Sequence, residues 1–192
     1  MQQGLRFPKA YQSRWHLKDN DIFGGFVMPK AKYQLEDFLT IVNEDCKEFI
    51  STVHEMMLRE KYKSKIQIMK STGLQLSYAE PKVKGVIGIV LIFFMREDML
   101  IIRIYTKNHK AYPNVLNSLP EAIVTQIENA PDCVKFSDPS KCWKGCIGYD
   151  FHIRGRRYQK CYVACFQLIA DNESNPYFLA LIENEVKARL IA

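Results

Sequence analysis

Residues 85–105 read GVIGIVLIFFMREDMLIIRIY, two apolar segments joined by a short charged link. The first segment, residues 85–94, is apolar on both faces, which is typical of a central strand that is covered on each side. The second segment, residues 99–105, also has the length and composition of a strand. Because the link at residues 96–98 is so short, the two segments predict an antiparallel hairpin.

Further strands and three helices are predicted on either side of this hairpin. Alternation of apolar and polar residues predicts strands at residues 66–68, 74–78, 149–153 and 157–169. Apolar residues spaced three and four apart predict helices over residues 33–60, 111–129 and 174–190. The predicted fold class is therefore α+β, with an antiparallel sheet of about six strands packed against three main helices.

The length and composition favour one folded domain. The chain has 192 residues and a mass of 22.4 kDa. Apolar residues make up 47% of it and charged residues 25%, which fits a globular protein and argues against disorder. We interpret residues 1–30 as an irregular N-terminal extension and residues 31–192 as a single α+β domain with a cysteine-rich segment at 133–165.

Neither a membrane span nor an export signal is expected. The longest apolar run, residues 85–95, is shorter than the roughly 20 residues that a transmembrane helix needs. Residues 1–15 lack the apolar stretch of a secretory signal. The expected location is the cytoplasm, where thiols stay reduced and clustered cysteines are more typical of metal binding or reactivity than of disulfides.

Five of the six cysteines lie in the pattern Cys133-x8-Cys142-x3-Cys146-x14-Cys161-x3-Cys165. Close ligand pairs separated by a longer spacer are typical of a structural zinc site. On one continuous strand, Cys161 and Cys165 would be about 13 Å apart, too far to share a zinc ion that thiolates approach to about 2.3 Å. The predicted zinc ligands are therefore Cys133, Cys142, Cys146 and Cys161, with Cys165 in the core.

Two other interpretations of the cysteines stay open. The spacing is not the specific C-x-x-C form, so the cysteines are also compatible with ordinary reduced and partly buried thiols. A redox or nucleophilic thiol at Cys142 or Cys146 would need a base nearby, and His152 is the only histidine in this part of the sequence.

A basic hairpin is predicted beside the cysteines. The net charge of the chain is +6, and residues 131–170 carry a net +4 of it. Arg154, Arg156 and Arg157 surround the predicted turn, and guanidinium groups bind phosphate through paired hydrogen bonds. The hairpin 154–157 therefore predicts binding of an anionic ligand or of nucleic acid. A solvated turn is the alternative.

Arg103 lies among the apolar residues of the predicted strand 99–105. A cation on an inner sheet face predicts an anchor for an anionic ligand, and an ion pair with a helix carboxylate is the alternative. Both interpretations give the arginine an acidic partner, and they differ in whether that partner belongs to this chain.

Residues 142–161, CWKGCIGYDFHIRGRRYQKC, resemble a pattern of small bacterial proteins of Firmicute type. The shared pattern is C-x3-C-x2-Y-x-F-x-I-x-G-x2-Y-x2-C, and the likeness extends from the first predicted helix to the C-terminus. The resemblance implies a small cytosolic bacterial protein and brings no known activity with it.

The sequence contains no motif of a known catalytic class: no P-loop, no Rossmann glycine fingerprint, no G-x-S-x-G and no H-E-x-x-H. It therefore predicts a binding protein rather than an enzyme, with a zinc-stapled cysteine cluster in its C-terminal part. The alternatives from other classes are a nucleic-acid-binding protein that uses residues 154–157 and a thiol-dependent redox enzyme.

Overall fold

The computed structural model describes residues 33–69, 73–80, 89–95, 99–142 and 146–191. The predicted N-terminal extension lies outside the described residues, and so do residues 85–88 and the link at 96–98. In its described part the protein is α+β, as predicted, with five helices and seven strands.

The seven strands form two antiparallel sheets. The strands are β1 (Lys63–Met69), β2 (Gly73–Ala79), β3 (Val90–Met95), β4 (Met99–Ile104), β5 (Tyr149–Ile153), β6 (Arg156–Lys160) and β7 (Gln167–Ile169). The main sheet has the order β1-β2-β3-β4-β7, and β5 pairs with β6 in a small separate sheet. The strands are therefore divided between two sheets where a single sheet was predicted.

β3 and β4 form the antiparallel hairpin predicted for residues 85–105. Val90 pairs with Ile104, and Ile92 pairs with Ile102. Because β3 lies between β2 and β4, its backbone is paired on both sides. Ile92 and Ile102 are completely buried, which agrees with the apolar pattern of both segments.

The described helices are α1 (Leu35–Leu39), α2 (Glu44–Arg59), α3 (Pro113–Asn117), α4 (Glu121–Asn129) and α5 (Asn175–Ile191). α2 packs against α5 through the rings of Phe49 and Phe178, whose centroids are 6.4 Å apart. The buried faces of the helices and of the main sheet share one core, which includes Ile50, Val53, Met57, Leu76, Ile92, Ile102 and Ile182. Every helix in the described part of the chain is too short or too polar to serve as a membrane span.

Two of the predicted helices are interrupted. The predicted helix 33–60 is divided into α1 and α2, and the predicted helix 111–129 is divided into α3 and α4. Asn43 precedes α2 with a ψ of 143°, and two acidic residues follow it, which favours a new helix N-terminus. Pro120 has a φ of −66° and a ψ of 158°, so the backbone is extended immediately before α4.

The predicted strand over residues 157–169 is wrong in its middle. β6 ends at Lys160, and residues 161–166 form turns before β7 begins. The backbone N–H of Cys165 donates to the carbonyl of Cys161 at 2.9 Å. A bond between residues four apart is that of a helical turn, not of a strand. The chain thereby passes from the small sheet to the main sheet, and the strand-based distance between Cys161 and Cys165 does not apply.

Candidate metal centre

Three cysteine sulfurs converge in the described part of the chain. The Sγ atoms of Cys133, Cys142 and Cys146 all lie within 4.8 Å of one another. In a tetrahedral zinc site with bonds of about 2.3 Å, the sulfurs lie about 3.8 Å apart. The three sulfurs therefore need to approach one another by no more than about 1 Å to bind one ion. They are close enough together to hold a metal ion.

Short turns place the three sulfurs in a segment that we call the cysteine loop, residues 133–148. Cys133 precedes one 3₁₀ turn, and Cys142 follows the next. Cys146 lies just before β5. The backbone N–H of Cys133 donates to the carbonyl of Gln159 at 3.0 Å, so the start of the loop is attached to β6.

Lys135 joins the two ends of the cysteine loop. Its ammonium donates to the carbonyl of Cys146 at 2.6 Å and to that of Ile147 at 3.4 Å. Its backbone N–H donates to the sulfur of Cys133. Such a bond stabilises the thiolate, which is the form that binds metal. Lys135 was not among the predicted site residues, although its position two residues after Cys133 was a signal in the sequence.

The pKa of Cys133 reflects the crowding of the sulfurs. Burial raises the pKa of the Cys133 thiol most, and the sulfurs of Cys146 and Cys161 raise it further, whereas the N–H of Lys135 lowers it. Several thiolates this close together repel one another, so the thiols stay protonated unless a cation binds between them. A metal ion bound here would have to release protons, so its affinity would fall as the pH falls.

Gly148 allows the cysteine loop to close tightly. Its φ of +64° lies in the left-handed region, which residues with a Cβ rarely adopt. A Cβ added there would lie 2.9 Å from the Phe136 ring and 3.0 Å from the sulfur of Cys133. The backbone after Cys146 therefore packs directly against Cys133, and a side chain at position 148 would push the two arms of the loop apart.

Cys161 is not one of the three converging sulfurs. Its backbone N–H donates to Pro131 while that of Cys133 donates to Gln159, so the two cysteines lie on the same side of a short antiparallel pairing. Diagonal neighbours in such a pairing are about 7–8 Å apart. Cys161 as the fourth ligand stays a prediction, and it requires a shift of the cysteine loop toward β6.

The other two cysteines lie in the core. Cys165 is completely buried, and burial raises the pKa of its thiol well above the ordinary value. Cys46 on α2 is buried as well, and its thiol donates to the carbonyl of Ala170 at 3.8 Å. None of the cysteines in the described residues forms a disulfide bond.

The basic hairpin turns at Arg154 and Gly155, whose φ values of 49° and 80° are typical of a tight two-residue turn. Each of the three hairpin arginines forms an ion pair within this chain. The pairs are Arg154 with Glu121, Arg156 with Glu128 and Arg157 with Asp150. A phosphate would have to displace these carboxylates, so nucleic-acid binding at the hairpin stays a prediction.

Arg103 interacts with neutral side chains. Its guanidinium donates to the Gln167 amide oxygen at 3.0 Å and lies over the Phe93 ring, 5.3 Å from the ring centroid. Gln167 belongs to β7, so Arg103 joins the neighbouring strands β4 and β7. These contacts involve neither the anionic ligand nor the helix carboxylate that the sequence suggested.

The pairing of Arg157 with Asp150 has a measurable consequence. Hydrogen bonds from Arg157 hold the pKa of Asp150 at about 2. The pair therefore stabilises the folded state above the ordinary carboxyl pKa of about 3.9, and this contribution is lost as the pH falls through about 2. In Arg157→Gln we expect the pKa of Asp150 to rise toward its ordinary value, measured by carboxyl-carbon NMR titration. Arg154→Gln should leave it unchanged, and an unshifted Asp150 in Arg157→Gln would contradict the pairing.

Comparisons with protein families, with curated proteins and with solved structures found no match for this chain. The resemblance of residues 142–161 to small bacterial proteins therefore stays a prediction. The chemistry of the cysteine loop rests on three features of the described residues: converging sulfurs, an N–H to sulfur hydrogen bond and a tightly packed glycine.

Proposed function

We propose that this protein is a zinc-binding module whose ion staples the cysteine loop to β6. Cys133, Cys142 and Cys146 supply three thiolates, and Cys161 supplies the fourth. The observation that carries the proposal is the approach of the first three sulfurs to within 4.8 Å of one another. In this role the metal is structural, and the protein is a non-enzymatic binding module.

Zinc is the ion that suits this donor set best. Thiolates are soft ligands, and they favour zinc over magnesium, calcium or manganese, which prefer oxygen. Structural zinc sites are four-coordinate and closed, and sets of four cysteines are among the usual ones. Three sulfurs from a loop and one from the adjoining chain after β6 make a site of this kind.

The exposed side chains of the cysteine loop support a structural role for the metal. Val134, Phe136 and Ile147 are exposed to 45%, 39% and 43%. A loop that leaves so much apolar surface in water gains little stability from the hydrophobic effect. Its conformation needs another source of stability, and metal coordination supplies one.

The surroundings of the thiols favour a metal site over a thiol enzyme. A nucleophilic thiol at Cys142 or Cys146 would need a base nearby to activate it. His152, the base that the enzyme hypothesis would use, is exposed on β5. Because thiolate ligands require reducing conditions, we place the protein in the cytoplasm.

Elemental analysis tests the proposal. Protein purified without chelator should contain about one zinc ion per chain by plasma mass spectrometry. Cys142→Ser and Cys146→Ser should each lose stable zinc binding, because each removes one converging sulfur. Cys46→Ala is the matched control, since Cys46 is buried on α2 beside Ala170, and it should retain zinc. A folded wild-type protein that takes up no zinc would contradict the proposal.

Cobalt substitution tests the fourth ligand separately. Thiolate-to-cobalt absorption grows with the number of coordinating sulfurs, so Cys161→Ser should weaken it while Cys165→Ala should not. An unchanged spectrum in Cys161→Ser would limit the protein ligands to the three cysteines of the loop.

A further inference from the structure

A cavity of about 560 Å³ lies beside the cysteine loop. Its size is in the range of small-molecule binding sites. One wall consists of Lys107 and the 3₁₀ turn His109–Ala111. A second part of the lining, which we call the apolar wall, consists of Phe136 and Ile147 of the cysteine loop, and Asp150 of β5 also lines the cavity.

The first wall is cationic. Lys107 and Lys110 are both exposed and both line the cavity. Among the ion pairs of the described residues, neither lysine has a carboxylate partner. Asp150, the acidic residue of the lining, is bonded to Arg157 at 2.8 Å, and the charge of Lys110 also helps to lower the pKa of its carboxyl. Because Arg157 already neutralises Asp150, the cavity keeps an excess of positive charge that a bound anion can balance.

The apolar wall is held in place. Phe136 and Ile147 are both more than a third exposed. The edge of the Phe136 ring packs against the backbone of Gly148, where a Cβ would lie 2.9 Å from it. An exposed aromatic ring with a fixed position is a stacking surface for a planar group.

His109 makes the lysine wall rigid. It is buried, and its Nδ1 donates to the carbonyl of Thr106 at 2.8 Å. Its ring meets the edge of Tyr149 with the centroids 5.3 Å apart. Lys107 and Lys110 lie on either side of this anchored residue, so their backbone is ordered before any ligand arrives, which lowers the entropic cost of binding.

We propose that this cavity binds a small anion that carries a planar aromatic ring, the chemical class to which nucleoside monophosphates belong. The anionic group lies between Lys107 and Lys110, and the ring lies on Phe136 and Ile147. Hydrogen bonds from ammonium groups to phosphate are charge-assisted and strong. The ring contact rests on the proposed zinc site, because the ion fixes the loop that carries Phe136 and Ile147. The lysine contact does not depend on the zinc site.

Calorimetric titration of the full chain in the presence of zinc tests this site, with AMP, adenosine and inorganic phosphate as parallel probes. We expect AMP to bind at least about tenfold more tightly than adenosine or phosphate, because only AMP contacts both walls. The affinity for AMP should fall as salt is added, since part of it comes from exposed lysines.

Variants test the contribution of each wall to AMP binding separately. Replacement of both lysines, Lys107→Gln with Lys110→Gln, should weaken AMP binding at least about tenfold, and Phe136→Ala should weaken it by a similar factor. Lys65→Gln on β1 removes another exposed lysine and should leave the affinity unchanged. Thermal unfolding of each variant checks the fold, which we expect to be retained because all the replaced side chains are exposed.

Several results would overturn the proposal. Equal affinities for AMP and phosphate would show that the ring makes no contact that contributes to binding. AMP binding that is unchanged by the double lysine replacement would show that the lysines do not bind the anionic group. A protein that contains zinc and does not bind AMP would overturn the cavity proposal and leave the zinc site standing. AMP binding with the expected preference by a protein that takes up no zinc would support the cavity, show that its ring contact does not depend on zinc, and overturn the zinc site.

Discussion

Replacement of Arg189 by methionine is expected to lower the free energy of unfolding by about 3–5 kcal/mol. Arg189 lies on α5, four residues after Glu185, and its Nε donates to the Glu185 carboxylate at 2.8 Å. Glu185 is completely buried. Without the guanidinium, a carboxylate is left in the core with its charge uncompensated, and removal of one partner of a buried ion pair is strongly destabilising.

Groups from distant parts of the chain meet at this carboxylate. The hydroxyl of Tyr112 donates to Glu185 at 2.7 Å, and the backbone N–H of Asn108 donates to it at 3.0 Å. Arg189 also donates to the carbonyl of Tyr105 at 3.0 Å. Loss of Arg189 therefore weakens the attachment of α5 to the segment that follows β4, in addition to leaving Glu185 short of a partner.

Urea unfolding followed by circular dichroism measures the effect of Arg189→Met. Arg59→Met is the control, because the Arg59 side chain is 72% exposed beside Glu60 and exposed ion pairs contribute only about 0–1 kcal/mol. Glu185→Gln together with Arg189→Met should recover much of the loss, since the neutral amide still accepts from Tyr112. A loss below about 1 kcal/mol in Arg189→Met alone would contradict the role of the buried pair.

Glu185 illustrates what the sequence pattern cannot predict. The helix over 174–190 is predicted from its apolar spacing, and α5 is found there. A glutamate four residues before an arginine on a helix is typical of an exposed surface pair. The burial of Glu185 depends instead on Tyr112 and Asn108, which only tertiary packing brings to it.

Elements whose structure is determined by neighbouring residues were predicted from the sequence pattern. The hairpin within 85–105 is encoded by two apolar segments and a short link, so its pairing follows from neighbouring residues. The turns at 161–166 have no such signal, because an apolar run can be buried in the core either as a strand or as a turn. Their course depends partly on the bond from the Cys161 N–H to Pro131, in another segment.

The candidate site was predictable to a similar degree. The spacing of Cys133, Cys142 and Cys146 predicted that their sulfurs converge, because ligands in one loop can meet without help from the rest of the fold. The cavity beside them was not predicted. Lys107 and Phe136 belong to different segments, and no local pattern connects a lysine of one with an aromatic residue of the other.

Removal of zinc by a chelator is expected to destabilise the protein by about 4 kcal/mol, if free zinc was previously at about 1,000 times its Kd. For a chain of this length, such a loss corresponds to a fall in melting temperature of about 8–16 °C. The reason is linkage: in the proposed site the ion binds the converged sulfurs of the folded state, so its binding free energy adds to folding. Calorimetric melting with zinc and with chelator measures the difference.

The control is Cys142→Ser, which should melt at the same temperature with zinc and with chelator. Because burial raises the pKa of Cys133, zinc has to displace bound protons, and the stabilisation by zinc should shrink as the pH is lowered. A loop that detaches locally would be detected by hydrogen exchange at the Cys133 amide, which donates to Gln159 at 3.0 Å. If chelation of the wild type changed neither the melting temperature nor this exchange rate, zinc would not be holding the cysteine loop to β6.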